Sequence, residues 1–189
     1  MNTPSHAIIN PAALGSKPRE VFWASFLGSI APDVPLFGFY IYHRFWRGIS
    51  EADVWDKEFF TTSTAPWTNG LHSFPLIAFA LVAAYAAKAR DWVKVFLWSM
   101  FLHDVEDFFL HVDDAHRQFW PFSRWRFLAP VSYWDVKYHG TAGAAFELVC
   151  VLAALFVLAQ RHAGRRPRLA FAGLSGFYLG TYILVYLIA

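Results

Sequence analysis

Residues 169–189 contain no charged side chain, and apolar runs recur earlier at about 21–42, 72–88, 92–112 and 141–160. A helix needs about 20 apolar residues to cross the hydrocarbon of a bilayer, and there its backbone must satisfy its own hydrogen bonds. Runs of this length predict an all-α, helical integral membrane protein: one domain over 1–189 with about five membrane-embedded helices. The composition agrees, with 57% hydrophobic against 16% charged residues and nine Trp, a balance far from that of an ordinary soluble domain. The formal charge of +2 is too small and too scattered for a nucleic-acid binder. Cys150 is the single cysteine, which rules out an intrachain disulfide and a thiolate metal site.

The chain punctuates these runs in order. Thr3 or Ser5 can cap a short helix to about Leu14, stopped by Gly15-Ser16-Lys17-Pro18. A second helix from about Arg19 to Ile30 would return as an N-terminal antiparallel hairpin, bringing His6 towards Asp33 at its open end. Alternatively, residues 21–42 form one spanning helix kinked at Pro32. Residues 43–70 read as a polar loop with a turn or two of helix. The N-terminus lacks a basic start before its first apolar run, so no cleaved signal peptide is expected. Lys17, Arg19, Lys88, Arg90, Arg161, Arg165, Arg166 and Arg168 fall in short connections that five crossings would place on one, cytoplasmic, side. The loops at 43–70 and 112–140 would share the other side, where Arg44, Arg47, Arg124, Arg126 and Lys137 run against that count.

Within residues 102–140, apolar helix gives way to His103, Asp104, Glu106, Asp107 and His111, followed by Asp113, Asp114 and His116. His103, Asp107 and His111 are four apart and line one helix face. Ionisable groups in hydrocarbon are costly unless paired, hydrated or metal-bound, so their presence there points to a functional site. An imidazole and a carboxylate one turn apart can offer nitrogen and oxygen to one cation, a donor set that suits Zn, Mn, Fe or Mg. The same pair would equally satisfy each other by hydrogen bonding. Asp104 and Glu106 point away from the His103 face and suit either support of the ligands from behind or helix pairing. Asp114 and His116 could supply a general base or a second metal position, or belong to a solvated loop. Glu147, seven residues into an apolar helix, calls for a ligand, acid/base or ion-pair role. Asp33, His6 and His72 each sit where a helix cap is the alternative. Arg117, Arg124, Arg126 and Lys137 could clamp an anionic substrate or anchor to lipid head groups. Nucleotide-binding loops, His-Glu-x-x-His and Gly-x-Ser-x-Gly are absent.

His6, Pro32-Asp33-Val34-Pro35, His72-Ser73, His103 with Asp107, and Trp120-Pro121-Phe122 follow one another in an order that resembles a bacterial family. Its members are described as inner-membrane metal-dependent hydrolases and as LexA-binding inner-membrane proteins. The family is distantly similar to zinc-dependent phospholipase C. The resemblance runs to about residue 140. Two positions depart from it: Pro66-Trp67-Thr68-Asn69-Gly70-Leu71 replaces a segment carrying a His and an Arg, and Pro35 replaces a second Asp. The resemblance implies a multi-pass protein of the bacterial inner membrane and a divalent metal, Zn before Mn, Fe or Mg. The resemblance marks His6, Asp33, His72, His103 and Asp107 as ligands; read from the residues themselves, His111 is a further ligand, and Asp114, His116 and Glu147 would serve proton transfer or a second metal. The expected reaction is hydrolysis of an ester or phosphoester, on a small-molecule or lipid substrate, by metal-activated water. The same residues would also serve a divalent-cation or proton transporter, or a membrane scaffold whose polar cluster locks helices together.

Overall fold

The computed structural model describes residues 1–15, 17–59, 65–162 and 164–188, and these are helices joined by turns and one long loop. α1 (Thr3–Leu14) and α2 (Arg19–Ile30) are joined by a short link. Pro32 removes a backbone donor, and the chain responds by tightening into a 3₁₀ turn at Ala31–Asp33. It then continues as α3 (Val34–Ile41) and a wider π turn to Trp46. Arg19–Trp46 is thus helical throughout, and Asp33 sits at the kink. The stretch expected as loop holds α4 (Glu51–Asp53), a π turn at Val54–Glu58 and α5 (Ala65–Leu71). Residues 60–64 of that stretch lie outside the described residues. α6 (Phe74–Ala86), α7 (Asp91–Phe108), α8 (Gly140–Arg161) and α9 (Arg165–Tyr182, extended by a π segment Ile183–Ile188) complete the fold.

Among the described residues, three helices are long and apolar enough to cross a membrane: Arg19–Trp46, Gly140–Arg161 and Arg165–Ile188. The runs at 72–88 and 92–112 hold α6 and α7. α6 has 13 residues, and α7 has 18 with its polar second half turned inward. α9 buries none of its residues, while Leu169, Phe177, Leu184, Val185 and Ile188 are exposed. An apolar exterior of this extent belongs in lipid rather than water.

The centre of the bundle is polar. Asn10 Nδ2 donates to Ser99 O and Oγ, both at 2.9 Å, and Ser99 Oγ donates to Ser25 O at 2.6 Å. One turn further, His103 Nδ1 meets Ser29 O at 2.7 Å, while His6 stacks on His103 with ring centroids 3.9 Å apart. The pairs 25/99 and 29/103 make α2 and α7 parallel, with α1 antiparallel to both. Gly28 makes this approach possible: a Cβ there would lie 2.3 Å from Phe96 O and 2.8 Å from Ser99 Cβ. Apolar packing flanks the polar seam, with Ala12, Ala154 and Leu158 on one side and Ile77, Leu81 and Met100 on the other. α9 returns antiparallel to α8, as the contact of Tyr182 Oη with Thr141 O (3.4 Å) marks.

Candidate metal centre

Asp33, His72, His103 and Asp107 each present one donor atom, and the four atoms lie within 4.8 Å of one another. Asp33 Oδ1 is 3.6 Å from both His72 Nε2 and His103 Nε2, and His103 Nε2 is 3.2 Å from Asp107 Oδ2. All four residues are buried. Local structure explains each position. The 3₁₀ turn at Pro32 turns Asp33 inward; His103 and Asp107 are successive turns of α7. His72 lies just beyond α5, and Ser73 starts α6 by accepting from Leu76 N at 3.3 Å. Ser73 Oγ also donates to Trp120 O at 2.5 Å, which ties the helix start to the long loop.

The hydrogen bonds on the outer edge of each imidazole decide what its inner edge can do. His72 Nδ1 donates to Thr68 O at 2.8 Å and His103 Nδ1 to Ser29 O at 2.7 Å. With the proton held at Nδ1, the neutral ring presents a lone pair at Nε2. Both Nε2 atoms are buried without a hydrogen-bond partner among the described residues, yet both face the same Asp33 oxygen. A lone pair facing a carboxylate repels it unless positive charge, a proton or a metal cation, lies between them, and 3.6 Å is too long for a direct hydrogen bond to Asp33. Two imidazoles and two carboxylates fit a divalent cation at bond lengths of about 2 Å, and outer partners of this kind orient metal-binding histidines.

A second set of groups gathers on the other oxygen of Asp107. Its Oδ1 is 2.5 Å from the Met1 amino group, 3.0 Å from His6 Nε2 and 3.3 Å from His111 Nε2. His6 Nδ1 contacts Glu106 Oε2, so Glu106 orients this ring as the backbone carbonyls orient the other two. His6 and His111 therefore adjoin the four-donor group through Asp107 and stand outside it. α7 ends at Phe108, and it is the turn after the helix that carries His111 back, rather than continuation of one face.

The loop supplies the remaining polar groups. His111 Nδ1 lies 3.0 Å from Asp114 Oδ2, which also accepts from Trp134 Nε1 at 3.1 Å. Burial disfavours the His111 imidazolium, but the Asp107 carboxylate outweighs it and raises the group to about 9. Burial likewise raises Asp114, yet the His111 contact prevails and holds it down at about 2. His116 stacks on His72 at 3.8 Å; burial, then the neighbouring His72 and His111, depress it well below the ordinary imidazole range. His116, His72, Asp104, Asp107 and His111 line a cavity of about 10 Å³, room for about one water. Ser132 Oγ accepts from Trp134 N (3.2 Å) and Asp135 N (3.0 Å), shaping the turn beside this cluster. Of the loop cations, Arg126 reaches the carbonyls of Asp113 (3.4 Å) and Ala115 (3.5 Å) and so braces the loop.

Glu147 lies apart from the four donors. Its Oε1 accepts from Asn2 N at 3.1 Å, Asn2 Nδ2 at 3.0 Å and Ser5 Oγ. Two contacts near the centre are not legible in the sequence. Thr3 Oγ1 donates to Asp33 Oδ2, and the Met1 amine approaches Asp107, both products of the α1 approach. Asp104 is buried with neither oxygen bonded among the described residues, and its presence in an apolar run was the available signal.

Comparison with known protein families, curated proteins and solved structures finds no match. The structure establishes a membrane-embedded all-α protein with a buried His/Asp group able to chelate a metal.

Proposed function

We propose that this protein is a multi-pass membrane hydrolase that uses a divalent metal, Zn before Mn, Fe or Mg, to cleave an ester or phosphoester. The observation that carries this reading is the convergence of four buried donor atoms, two of them Nε2 atoms without a hydrogen-bond partner among the described residues, with each ring fixed from behind by a backbone carbonyl. Asp33, His72, His103 and Asp107 would hold the ion. When bound, it supplies Lewis acidity and activates water near neutral pH. The chain's own residues supply the rest. His116, neutral at pH 7, offers a proton acceptor in the small cavity beside the donors. His111, tied between Asp107 and Asp114, holds a proton at the same edge and can return it to a leaving group. His6, whose Nε2 is 3.0 Å from Asp107 Oδ1, is a further ligand candidate.

The exposed apolar exterior of α9 favours a lipid-derived substrate, delivered from the bilayer in which the helix lies. Sidedness follows from charge. Arg161 Nη1 bonds Ala12 O at the end of α1, and Lys17, Arg19 and His162 share one pocket, so these basic groups gather at the bundle end opposite the donors. That end would face the cytoplasm of a bacterial inner membrane.

The test is hydrolysis of a p-nitrophenyl ester and of bis-p-nitrophenyl phosphate by detergent-solubilised protein. Activity should vanish on chelation, return with Zn²⁺ or Mn²⁺, and be missing from His103→Ala. Metal-loaded protein that cleaves neither substrate, or chelated protein that cleaves at the full rate, would refute the proposal.

A further inference from the structure

A second pocket, of about 90 Å³, lies between α8 and α9. Glu147 forms one wall; Tyr178, Tyr182 and Tyr186, spaced four apart on one face of the last helical segment, form the other. The volume is several times what one water requires. Glu147 is 4% exposed, and its three donors all converge on Oε1. Oε2 has no hydrogen-bond partner among the described residues, and no Lys, Arg or His lines the pocket. A half-satisfied carboxylate at this depth, about 10 Å along α8 from Gly140, needs a positive partner.

The aromatic wall decides which cation fits. Ca²⁺ or Mg²⁺ takes six or more oxygen ligands, and one free carboxylate oxygen falls far short. A weakly hydrated organic ammonium instead combines a single carboxylate with aromatic faces. The tyrosine hydroxyls are engaged at the pocket margins. Tyr178 Oη is 3.3 Å from Ser5 Oγ, Tyr182 Oη reaches Thr141 O at 3.4 Å, and Tyr186 Oη reaches Tyr133 O at 3.5 Å. Those contacts hold the rings in place, and Tyr182 and Tyr186 stack at 5.5 Å.

We propose that the pocket formed by Glu147, Tyr178, Tyr182 and Tyr186 binds an organic ammonium group. It adjoins the metal centre: the Met1 amine touches Asp107 while Asn2 N touches Glu147, so those two carboxylates lie within about 10 Å of each other. Service as the head-group subsite of a cleaved substrate rests on the hydrolase reading; ammonium binding itself does not. The shared chemistry is that of a choline-type lipid head group and of a free quaternary ammonium.

Calorimetry on the full chain in maltoside detergent, with choline and its uncharged isostere 3,3-dimethylbutanol as probes, tests this. Choline should bind at least tenfold more tightly than the isostere, both in metal-loaded and in chelated protein. Glu147→Gln should weaken choline at least tenfold. Should that variant fail to fold, Tyr182→Leu decides: a severalfold loss with circular dichroism unchanged, while Tyr182→Phe keeps the affinity. Dihexanoyl phosphatidylcholine binding more tightly than choline assigns the site to lipid, and equal affinity assigns it to the free ammonium. Equal binding of choline and isostere, no choline binding, or full affinity in Tyr182→Leu would overturn the proposal. Binding that persists without metal or hydrolysis separates this site's success from that of the hydrolase reading.

Discussion

His72 and His103 derive their character from what lies behind them, because a proton fixed at Nδ1 by a backbone carbonyl leaves Nε2 as a bare donor. Changes to outer partners of metal-binding histidines typically lower affinity about 10–100-fold. Removing a ligand in His72→Ala, His103→Ala or Asp33→Asn should lower affinity by more than that, measured with a competing chelator; unchanged affinity would remove these residues from the site. Asp114 gives a pH-dependent prediction. Its folded value of about 2 lies below its ordinary 3.8, so its contribution to stability is present above the ordinary value and fades as pH falls through about 2. The gap in thermal midpoint between wild type and Asp114→Asn should therefore persist from pH 7 to about 4 and close towards pH 2. A gap that closes by pH 6 would contradict this origin. The His103-Asp107 pairing was legible in the sequence because four-residue spacing alone places both on one face. The separation of Glu147 was not, because it depends on how α1 lies against α8 and brings Asn2 and Ser5 to it.

At the scale of elements, helix contacts set by small residues bring the donors together. Gly28 leaves no room for a Cβ against Phe96 O, and Gly143 none against Ser132 O, at 2.0 Å. Gly28→Leu should destabilise the protein by roughly 1–3 kcal/mol, the usual range for overpacking, and reduce metal retention by parting α2 from α7. Gly38→Leu, where nothing lies within 4 Å, is the matched control and should do neither. Equal unfolding midpoints for the two variants would disprove the close approach. The interruption at Pro32 was visible in the sequence, but its outcome was not. Proline removes one donor whether a helix ends or tightens, and here a 3₁₀ turn carries it through. The end of α7 was similarly hidden, since its polar residues continue past Phe108 without a glycine or proline to mark the stop.

For the whole molecule, an apolar exterior encloses a polar seam, and the basic connections lie at the end away from the donors. Composition made the all-α membrane class legible because a water-exposed surface could not be this apolar. The number of full crossings was less so, since an apolar run in the sequence does not show how many of its residues the helix takes up, and α6 takes 13. With Cys150→Ser as background, a cysteine at Trp134 and one at Arg166 should label from opposite faces of the membrane with an impermeant thiol reagent. Labelling of both from one face would overturn the sidedness. The central claim, that buried imidazoles and carboxylates are held together by a divalent cation, is tested most directly by elemental analysis of protein purified without chelator. A tightly held divalent metal should be present in stoichiometric amount, survive dialysis and be lost from both Asp33→Asn and His103→Ala. Folded protein carrying no metal, or both variants carrying as much as the wild type, would contradict it.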